Sequence, residues 1–196
     1  MHPILSRNVF VVKEHVGMFK AASNYDIFDP ADPQRPILFC REPNLGPFAK
    51  MFRFTDYKRM TPFDIHVTTP SGEKVLNVQR GVSFFTSKVD VFNENGTRMG
   101  GFKQKWFSLT ATFMVLGPND EPLCQLKGSW RGREFKFLQD GKVFAEVKQK
   151  WAGLGKELFT TADTYAISIA EDVAPDNPIR VLILAAVLCI DMVLKE

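Results

Sequence analysis

The sequence predicts a mainly β protein, in which about twelve antiparallel strands close into a barrel around one C-terminal hydrophobic helix. Two observations predict this fold. The first is a β-hairpin pattern that recurs along the chain, and the second is the stretch Pro178 to Glu196, which has no polar side chain between Val181 and Ile190. A helix that is apolar on every face must be enclosed. A barrel wider than about eight strands leaves a lumen, which a central helix can fill.

Three consecutive segments share one hairpin pattern, made of an alternating apolar run, a turn signal and a second run that ends in tryptophan. They are residues 89–106, 113–130 and 135–151, with turn signals at Asn95-Gly96, Pro118-Asn119-Asp120 and Asp140-Gly141. Because Trp106, Trp130 and Trp151 recur at the inward position of matching strands, we interpret them as core residues. The alternative interpretation, a base-stacking platform for nucleic acid, is not favoured.

Two further hairpins are predicted upstream. Residues 65–82 turn at Pro70-Ser71-Gly72, and residues 25–43 turn around Asp32-Pro33. Between these hairpins, a short helical turn is predicted around Pro47 to Arg53.

Two single strands complete the predicted barrel. One runs from Thr164 to Ile169, and the other lies near Phe10 to Phe19. Together with the five hairpins they bring the total to about twelve strands, at the spacing typical of sandwiches and barrels.

The C-terminal helix has a clear start, because Asn177 can cap its free amides and Pro178 suits the first helical position. A helix from Ile179 to Lys195 would be roughly 25 Å long. A helix that spans a bilayer needs ~20 apolar residues, or about 30 Å. Asp191 also falls in the last turn. We therefore predict that the helix is buried in protein and does not cross a membrane.

The composition is that of one full-sized domain, predicted to cover residues 1–196. Hydrophobic residues make up 45% of the chain, and its eighteen phenylalanines suit a large β core. Cys40, Cys124 and Cys189 lie far apart in the sequence, which suggests free thiols in a reducing compartment. The N-terminal residues lack a signal-peptide pattern, so a cytoplasmic protein is expected.

Charge is unevenly spread, although the net charge is only +3. Residues 98–156 hold eleven Lys and Arg against five Asp and Glu, whereas residues 157–196 hold two against seven. The middle of the chain is therefore basic and its end is acidic.

The basic side chains are concentrated where the hairpins approach their tryptophans. Alternation along a strand puts Phe102 on one face and Lys103 on the other. By the same rule an outward stripe is predicted, which consists of Lys103, Lys105, Lys127, Lys148 and Lys150 and is extended by Arg131, Arg133 and Lys136. Such a stripe can bind anionic lipid headgroups, since each surface cation is worth ~1 kcal/mol near an acidic membrane. Alternatively, exterior lysines serve only solubility and edge protection, and the residues alone leave both interpretations open.

Several stretches resemble one family. Lys148 to Val173 and Arg180 to Glu196 follow the C-terminal pattern of the phospholipid scramblase and LURP-one-related group, and the motifs NYDIFD and CRE in the first hairpin agree more weakly. The resemblance covers His15 to Glu196. It implies the tubby C-terminal-like fold, a twelve-stranded barrel around a central hydrophobic helix. It also implies that anionic phospholipids or phosphoinositides bind to a basic outer surface.

The loop that is proposed to bind Ca²⁺ in scramblases departs here from the family pattern. Thr161 replaces the first acidic ligand and Ala166 replaces the glycine, while Asp163 is retained. A calcium loop needs several oxygen ligands and a glycine for its sharp bend, so no metal site is expected. The alternation from Tyr165 to Ile169 fits a barrel strand better.

No motif points to covalent chemistry. The serine, cysteine and histidine residues lie in no nucleophile motif, phosphate loop or metal-ligand spacing, so neither an enzyme nor a cofactor is expected. The resemblance implies a non-enzymatic domain that binds phospholipid headgroups, cytoplasmic or peripheral at a membrane. The alternatives are calcium-independent scrambling of lipids between leaflets and a protein-binding scaffold. For scrambling, one short helix inside a barrel offers no polar path across the hydrocarbon.

Overall fold

The computed structural model describes residues 1–15, 24–43, 61–82, 87–105, 111–129, 134–149 and 164–194. These residues form twelve β-strands and one α-helix, preceded by a short 3-10 helix at Pro3–Ser6. The strands are β1 (Val9–Glu14), β2 (Tyr25–Asp29), β3 (Asp32–Arg41), β4 (Phe63–Thr68), β5 (Lys74–Arg80), β6 (Lys88–Asn93), β7 (Arg98–Gln104), β8 (Ala111–Leu116), β9 (Pro122–Ser129), β10 (Glu134–Gln139), β11 (Lys142–Lys148) and β12 (Thr164–Ile169). The helix, α1, spans Ile179–Leu194.

The strands form one closed antiparallel barrel. Each strand pairs with its neighbours in sequence, and β1 also pairs with β12 to close the sheet. In the closing pair, Val9 lies opposite Ser168 and Lys13 opposite Thr164. The predicted fold, a twelve-stranded antiparallel barrel with a C-terminal helix, is confirmed.

The two ends of the barrel differ in their connections. Every connection made only of described residues lies at one end, which we call the turn end. It holds the hairpin turns between β2 and β3, β4 and β5, β6 and β7, β8 and β9, and β10 and β11, and the link from β12 to α1. Helix α1 enters the barrel here and ends at Leu194, at the opposite end, which we call the far end.

The residues of the turns explain where the hairpins fold back. Between β10 and β11, Asp140 and Gly141 have positive φ angles of 51° and 81°. Positive φ at both central residues defines the type I′ turn, whose twist matches that of a two-stranded hairpin. The turn signal Asp140-Gly141 is therefore confirmed.

The turn predicted around Asp32-Pro33 was wrong by two residues, because the chain turns at Pro30 and Ala31. The Asp29 carboxylate accepts a hydrogen bond from Ala31 N at 2.9 Å, which stabilises the earlier turn. Pro33 lies instead in β3, at a shift in its register with β2. A proline is tolerated there because a bulge needs no ladder donor.

Helix α1 fills the barrel. All of its residues from Arg180 to Val193 are buried, and they form one hydrophobic cluster with inward side chains of the strands such as Phe102 and Val78. The Asn177 carboxamide oxygen accepts a hydrogen bond from Ile179 N at 3.0 Å, which confirms the predicted cap. Within the described part of the chain, no helix is both long and apolar enough to span a bilayer. The prediction that the helix is buried in protein is confirmed.

Alternation along the strands separates the core from the surface. In β4, Phe63, Ile65 and Val67 are buried, and the residues between them are partly exposed. In β7, a Cβ atom on Gly101 would lie 2.1 Å from the Val89 carbonyl oxygen of β6. Only glycine fits at that position without a shift of the backbone.

The remaining predictions of elements have different outcomes. Strand β12 has the predicted bounds, Thr164–Ile169. The strand predicted near Phe10 to Phe19 is β1, which begins and ends earlier, at Val9–Glu14. The helical turn predicted around Pro47 to Arg53 and the three tryptophans lie outside the described residues, so these remain predictions.

Candidate functional site

The predicted stripe has three exposed members in the described part of the chain. Lys103 lies near the end of β7, Lys105 directly follows that strand, and Lys127 lies near the end of β9. Their neighbours in sequence, Phe102 and Leu126, are fully buried. Alternation therefore turns all three lysines outward and toward the far end of the barrel. We call Lys103, Lys105 and Lys127 the lysine face.

The strand register brings the members of the lysine face together. Lys105 N donates a hydrogen bond to Thr112 O at 2.9 Å, and Thr112 lies directly opposite Lys127. Lys127 in turn lies opposite Lys136 of β10. Directly opposite residues of neighbouring strands are about 5 Å apart, so these side chains share one continuous patch.

The lysine face is not neutralised within the described part of the chain. No carboxylate oxygen there lies within 4.0 Å of Lys103, Lys105 or Lys127. Three exposed cations, two at the end of β7 and one on β9 across β8, repel one another in water. The patch therefore favours an anionic ligand.

Lys148, also predicted for the stripe, lies in a different environment. Its side chain is 31% exposed, and its Nζ lies 2.5 Å from Glu146 and 3.3 Å from Glu134. Lys136 joins the same group, at 3.2 Å from Glu134. The hydrogen bond to Glu146, followed by that to Glu134, raises the pKa of Lys148. Two lysines and two glutamates thus neutralise one another beside the lysine face.

Both glutamates could have been anticipated from the sequence. Glu134 is two residues from Lys136, and Glu146 is two residues from Lys148. A spacing of two places each pair on the same face of its strand. The predicted stripe took account of the lysines and not of these glutamates, so it overstated the unpaired positive charge on β10 and β11.

A second charged network runs from Lys88, which lies opposite Lys103 in the strand register, to residues of the turn end. Lys88 Nζ lies 3.0 Å from Asp120, and Arg98 lies 2.6 Å from Asp120 and 2.8 Å from Asp90. Hydrogen bonds from Lys88 and Arg98 hold the pKa of Asp120 below its ordinary value. These four side chains pair two positive with two negative charges.

Three members of the predicted stripe, Arg131, Arg133 and Lys150, lie outside the described residues. Their part in the stripe remains a prediction.

The turn end carries the opposite charge. Among the described residues in and beside its turns are five surface cations, Arg7, Arg35, Lys74, Arg98 and Lys142. Ten acidic residues occupy the same end, namely Asp29, Asp32, Glu73, Glu94, Asp120, Glu121, Asp140, Glu171, Asp172 and Asp176. Two crevices of about 390 and 310 Å³ open there beside the start of α1. Because carboxylates of Asp140, Asp172 and Glu121 line them, neither crevice suits an anionic ligand.

Six residues of the segment that would correspond to a calcium loop, Thr164–Ile169, form strand β12. Tyr165 of β12 points inward, and its hydroxyl donates a hydrogen bond to Asp191 at 3.0 Å. The prediction of a strand at Tyr165 to Ile169 is confirmed, whereas Thr161 and Asp163 lie outside the described residues. Glu171 and Asp172 follow as exposed residues of the link to α1.

Polar side chains hold α1 at both ends. At the far end, Tyr25 donates a second hydrogen bond to Asp191, at 2.6 Å. At the turn end, the Arg180 guanidinium is buried and donates to backbone carbonyls of the N-terminal segment and of the β12–α1 link. The sequence signal for Arg180 was its place as the first charged residue of an apolar helix.

Similar proteins are found among curated sequences. The chain is 23% identical to "Altered inheritance rate of mitochondria protein 25" of Saccharomyces cerevisiae, over 89% of this chain and 60% of that protein. It is 23% identical to "Phospholipid scramblase 2" of Bos taurus, over 69% of this chain and 50% of that protein. It is 21% identical to "Phospholipid scramblase family member 5" of Homo sapiens, over 67% and 54%. The chain thus spans 50–60% of the length of these relatives.

A solved structure and a family model extend the comparison. An X-ray structure of a protein from Arabidopsis thaliana matches 97% of this chain and 94% of that one, with a TM-score of 0.50 and 14% identity, which is a likeness of fold alone. The model of the Scramblase family matches residues 6–196. Since that match covers nearly the whole sequence, the chain belongs to the scramblase family.

Proposed function

We propose that this domain binds anionic phospholipid headgroups at a membrane surface through the lysine face. The observation that carries the proposal is the set of three exposed lysines with no carboxylate partner among the described residues. Arg131, Arg133 and Lys150 are proposed to extend the site. Lys148 contributes less, because Glu134 and Glu146 already neutralise it.

The physical basis is electrostatic. Each basic side chain near the surface of an acidic leaflet contributes ~1 kcal/mol, and the attraction fades beyond a Debye length of about 8 Å. Binding is therefore peripheral and weakened by salt. The enclosed position of α1 supports this mode, because its apolar residues contact strands and are not available to lipid.

Vesicle co-sedimentation tests the proposal. The variant Lys103→Gln/Lys105→Gln/Lys127→Gln removes the charge and keeps most of each side chain. Losing about 3 kcal/mol should weaken binding to phosphatidylserine vesicles roughly 100-fold. The wild type should not sediment with vesicles of phosphatidylcholine alone.

A matched control removes three cations from the turn end, in the variant Arg35→Gln/Lys74→Gln/Lys142→Gln. It has the same net charge as the first variant and should bind as the wild type does. If both variants lose affinity equally, only net charge matters, and the lysine face is not the site.

A second candidate function is movement of phospholipids between leaflets. It is favoured by the names of two relatives, which are phospholipid scramblases, although the chain spans about half of their length. A dye-quenching assay on reconstituted protein, with and without Ca²⁺, decides this point. Acceleration over empty liposomes would support scrambling, and its absence would leave headgroup binding as the function.

A further inference from the structure

The surface charge of the barrel is polarised along its axis. At the turn end, the described residues include ten acidic side chains against five basic ones. Near the far end, six acidic residues are outnumbered by eight basic surface residues, namely Lys13, Arg41, Lys88, Lys103, Lys105, Lys127, Lys136 and Lys148. Helix α1 runs between the two ends, and its sixteen residues measure about 24 Å. Lys103 lies five residues after Arg98, the first residue of β7, so it is roughly 17 Å along the strand from the turn end, about two Debye lengths at physiological ionic strength.

The far end also exposes an apolar side chain. Val82, which follows β5, is 62% exposed. Among the described residues, the other large hydrophobic side chain counted as exposed is Met1, whose amino group pairs with Glu94 at the turn end. Of these two side chains, Val82 is the more exposed, and it lies at the same end as the lysine face.

We propose that the barrel docks on an anionic bilayer with its far end toward the lipid and its turn end toward water, so that Val82 enters the interface. This inference rests on the proposed function and adds a fixed orientation to it. The lysine face is attracted to the acidic leaflet, and the carboxylates of the turn end are repelled by it. Both effects favour the same orientation. A small soluble anion would bind the lysines without favouring any orientation of the barrel.

The native thiols permit a clean labelling test. Cys40, Cys124 and Cys189 are all buried. Burial raises the pKa of Cys124 to about 12 and raises the pKa values of the other two. Because the thiolate is the reactive form, a maleimide dye at pH 7 should react with an introduced surface cysteine and spare these three.

The experiment compares two single variants, Val82→Cys at the far end and Ala31→Cys at the turn end. Both positions are exposed, and the hydrogen bond at Ala31 uses its backbone amide, so it survives the change. Each variant is labelled with a polarity-sensitive dye and mixed with phosphatidylserine vesicles that carry a lipid-bound quencher. We expect the dye at position 82 to shift to the blue and to be quenched at least twofold, and the dye at position 31 to stay unchanged.

Two negative results can be told apart. If the labelled proteins sediment with vesicles but both dyes are unchanged, or the dye at position 31 responds more, the orientation is wrong and headgroup binding stands. If neither the labelled nor the unlabelled protein sediments with anionic vesicles, the proposed function fails, and the orientation fails with it.

Discussion

At the scale of single residues, Arg180 shows how a charge can be accommodated beside a hydrophobic helix. Its side chain is 1% exposed, and burial lowers its pKa. The guanidinium donates to the carbonyl oxygens of Arg7 at 3.0 Å, Ala174 at 2.8 Å and Val173 at 2.5 Å, and to the side chain of Asn8 at 2.8 Å. One residue thus ties the start of α1 to the segment that precedes β1.

Replacing Arg180 should therefore destabilise the whole barrel. Arg180→Met keeps the length of the side chain but leaves several buried carbonyls without donors, so we expect a loss of about 3 kcal/mol or more in the free energy of unfolding. Arg180→Lys keeps the charge but not the planar arrangement of donors. Its free energy of unfolding should therefore lie between those of Arg180→Met and the wild type. Urea denaturation measures both. A loss below about 0.5 kcal/mol for Arg180→Met would contradict this role.

The residue scale also sets the limit of prediction from sequence for the candidate site. Outward directions followed from strand alternation, and Lys103, Lys105 and Lys127 are indeed exposed. The neutralisation of Lys148 depends partly on the strand register, which places Glu134 of β10 directly opposite it, and partly on Glu146, two residues before it on the same strand. Several acceptors of Arg180, such as Leu5 and Arg7, lie more than 170 positions away in the sequence. No local pattern reveals such contacts.

At the scale of elements, the pair β10–β11 combines a well-defined turn with a charged outer face. Burial acts to raise the pKa of Glu134, but hydrogen bonds from Lys136 and then Lys148 outweigh it, so the pKa is lowered. A carboxyl whose pKa is lower in the folded than in the unfolded state stabilises the fold when it is ionised in both. The stabilisation is present above the unfolded pKa and is lost as the pH falls through the folded one.

This linkage predicts how Glu134→Gln changes the pH dependence of stability. The variant should be less stable than the wild type at pH 7, and the difference should shrink as the pH falls below about 4.5, the ordinary pKa of a glutamate. Urea denaturation midpoints of both proteins between about pH 2.5 and 7 measure this difference. The range extends at least about two standard deviations of protein glutamate pKa values to either side of about 4.5. Glu171→Gln, at an exposed residue of the β12–α1 link, is the matched control and should leave the profile unchanged. A constant difference at all pH values would mean that the ion pairs do not contribute.

The elements themselves were largely predictable. Turn signals such as Asn95-Gly96 and Asp140-Gly141 predicted the hairpins, because glycine readily adopts the positive φ found at Gly96 and Gly141, 78° and 81°. The turn at Pro30 and Ala31 was misplaced because three prolines lie within seven residues, at 30, 33 and 36, and each is a turn signal on its own. The side-chain contact of Asp29 decides between them, and it is visible only in the structure.

At the scale of the whole molecule, the barrel and its helix depend on each other. The residues of α1 from Val181 to Ile190 are apolar on all sides and must be enclosed, and a ring of twelve strands needs a core to fill its lumen. For this reason the fold could be predicted from two features of the sequence. It also follows that lipid should meet the outside of the barrel, where the lysine face lies.

Hydrogen–deuterium exchange of vesicle-bound protein tests this claim most directly. With phosphatidylserine vesicles, the amides of α1 and of the strands that enclose it should keep their protection, and exchange should slow near Lys103, Lys105 and Lys127. If α1 left the barrel to enter the bilayer, the strands would face an emptied lumen. A loss of protection across those strands on binding would contradict the account.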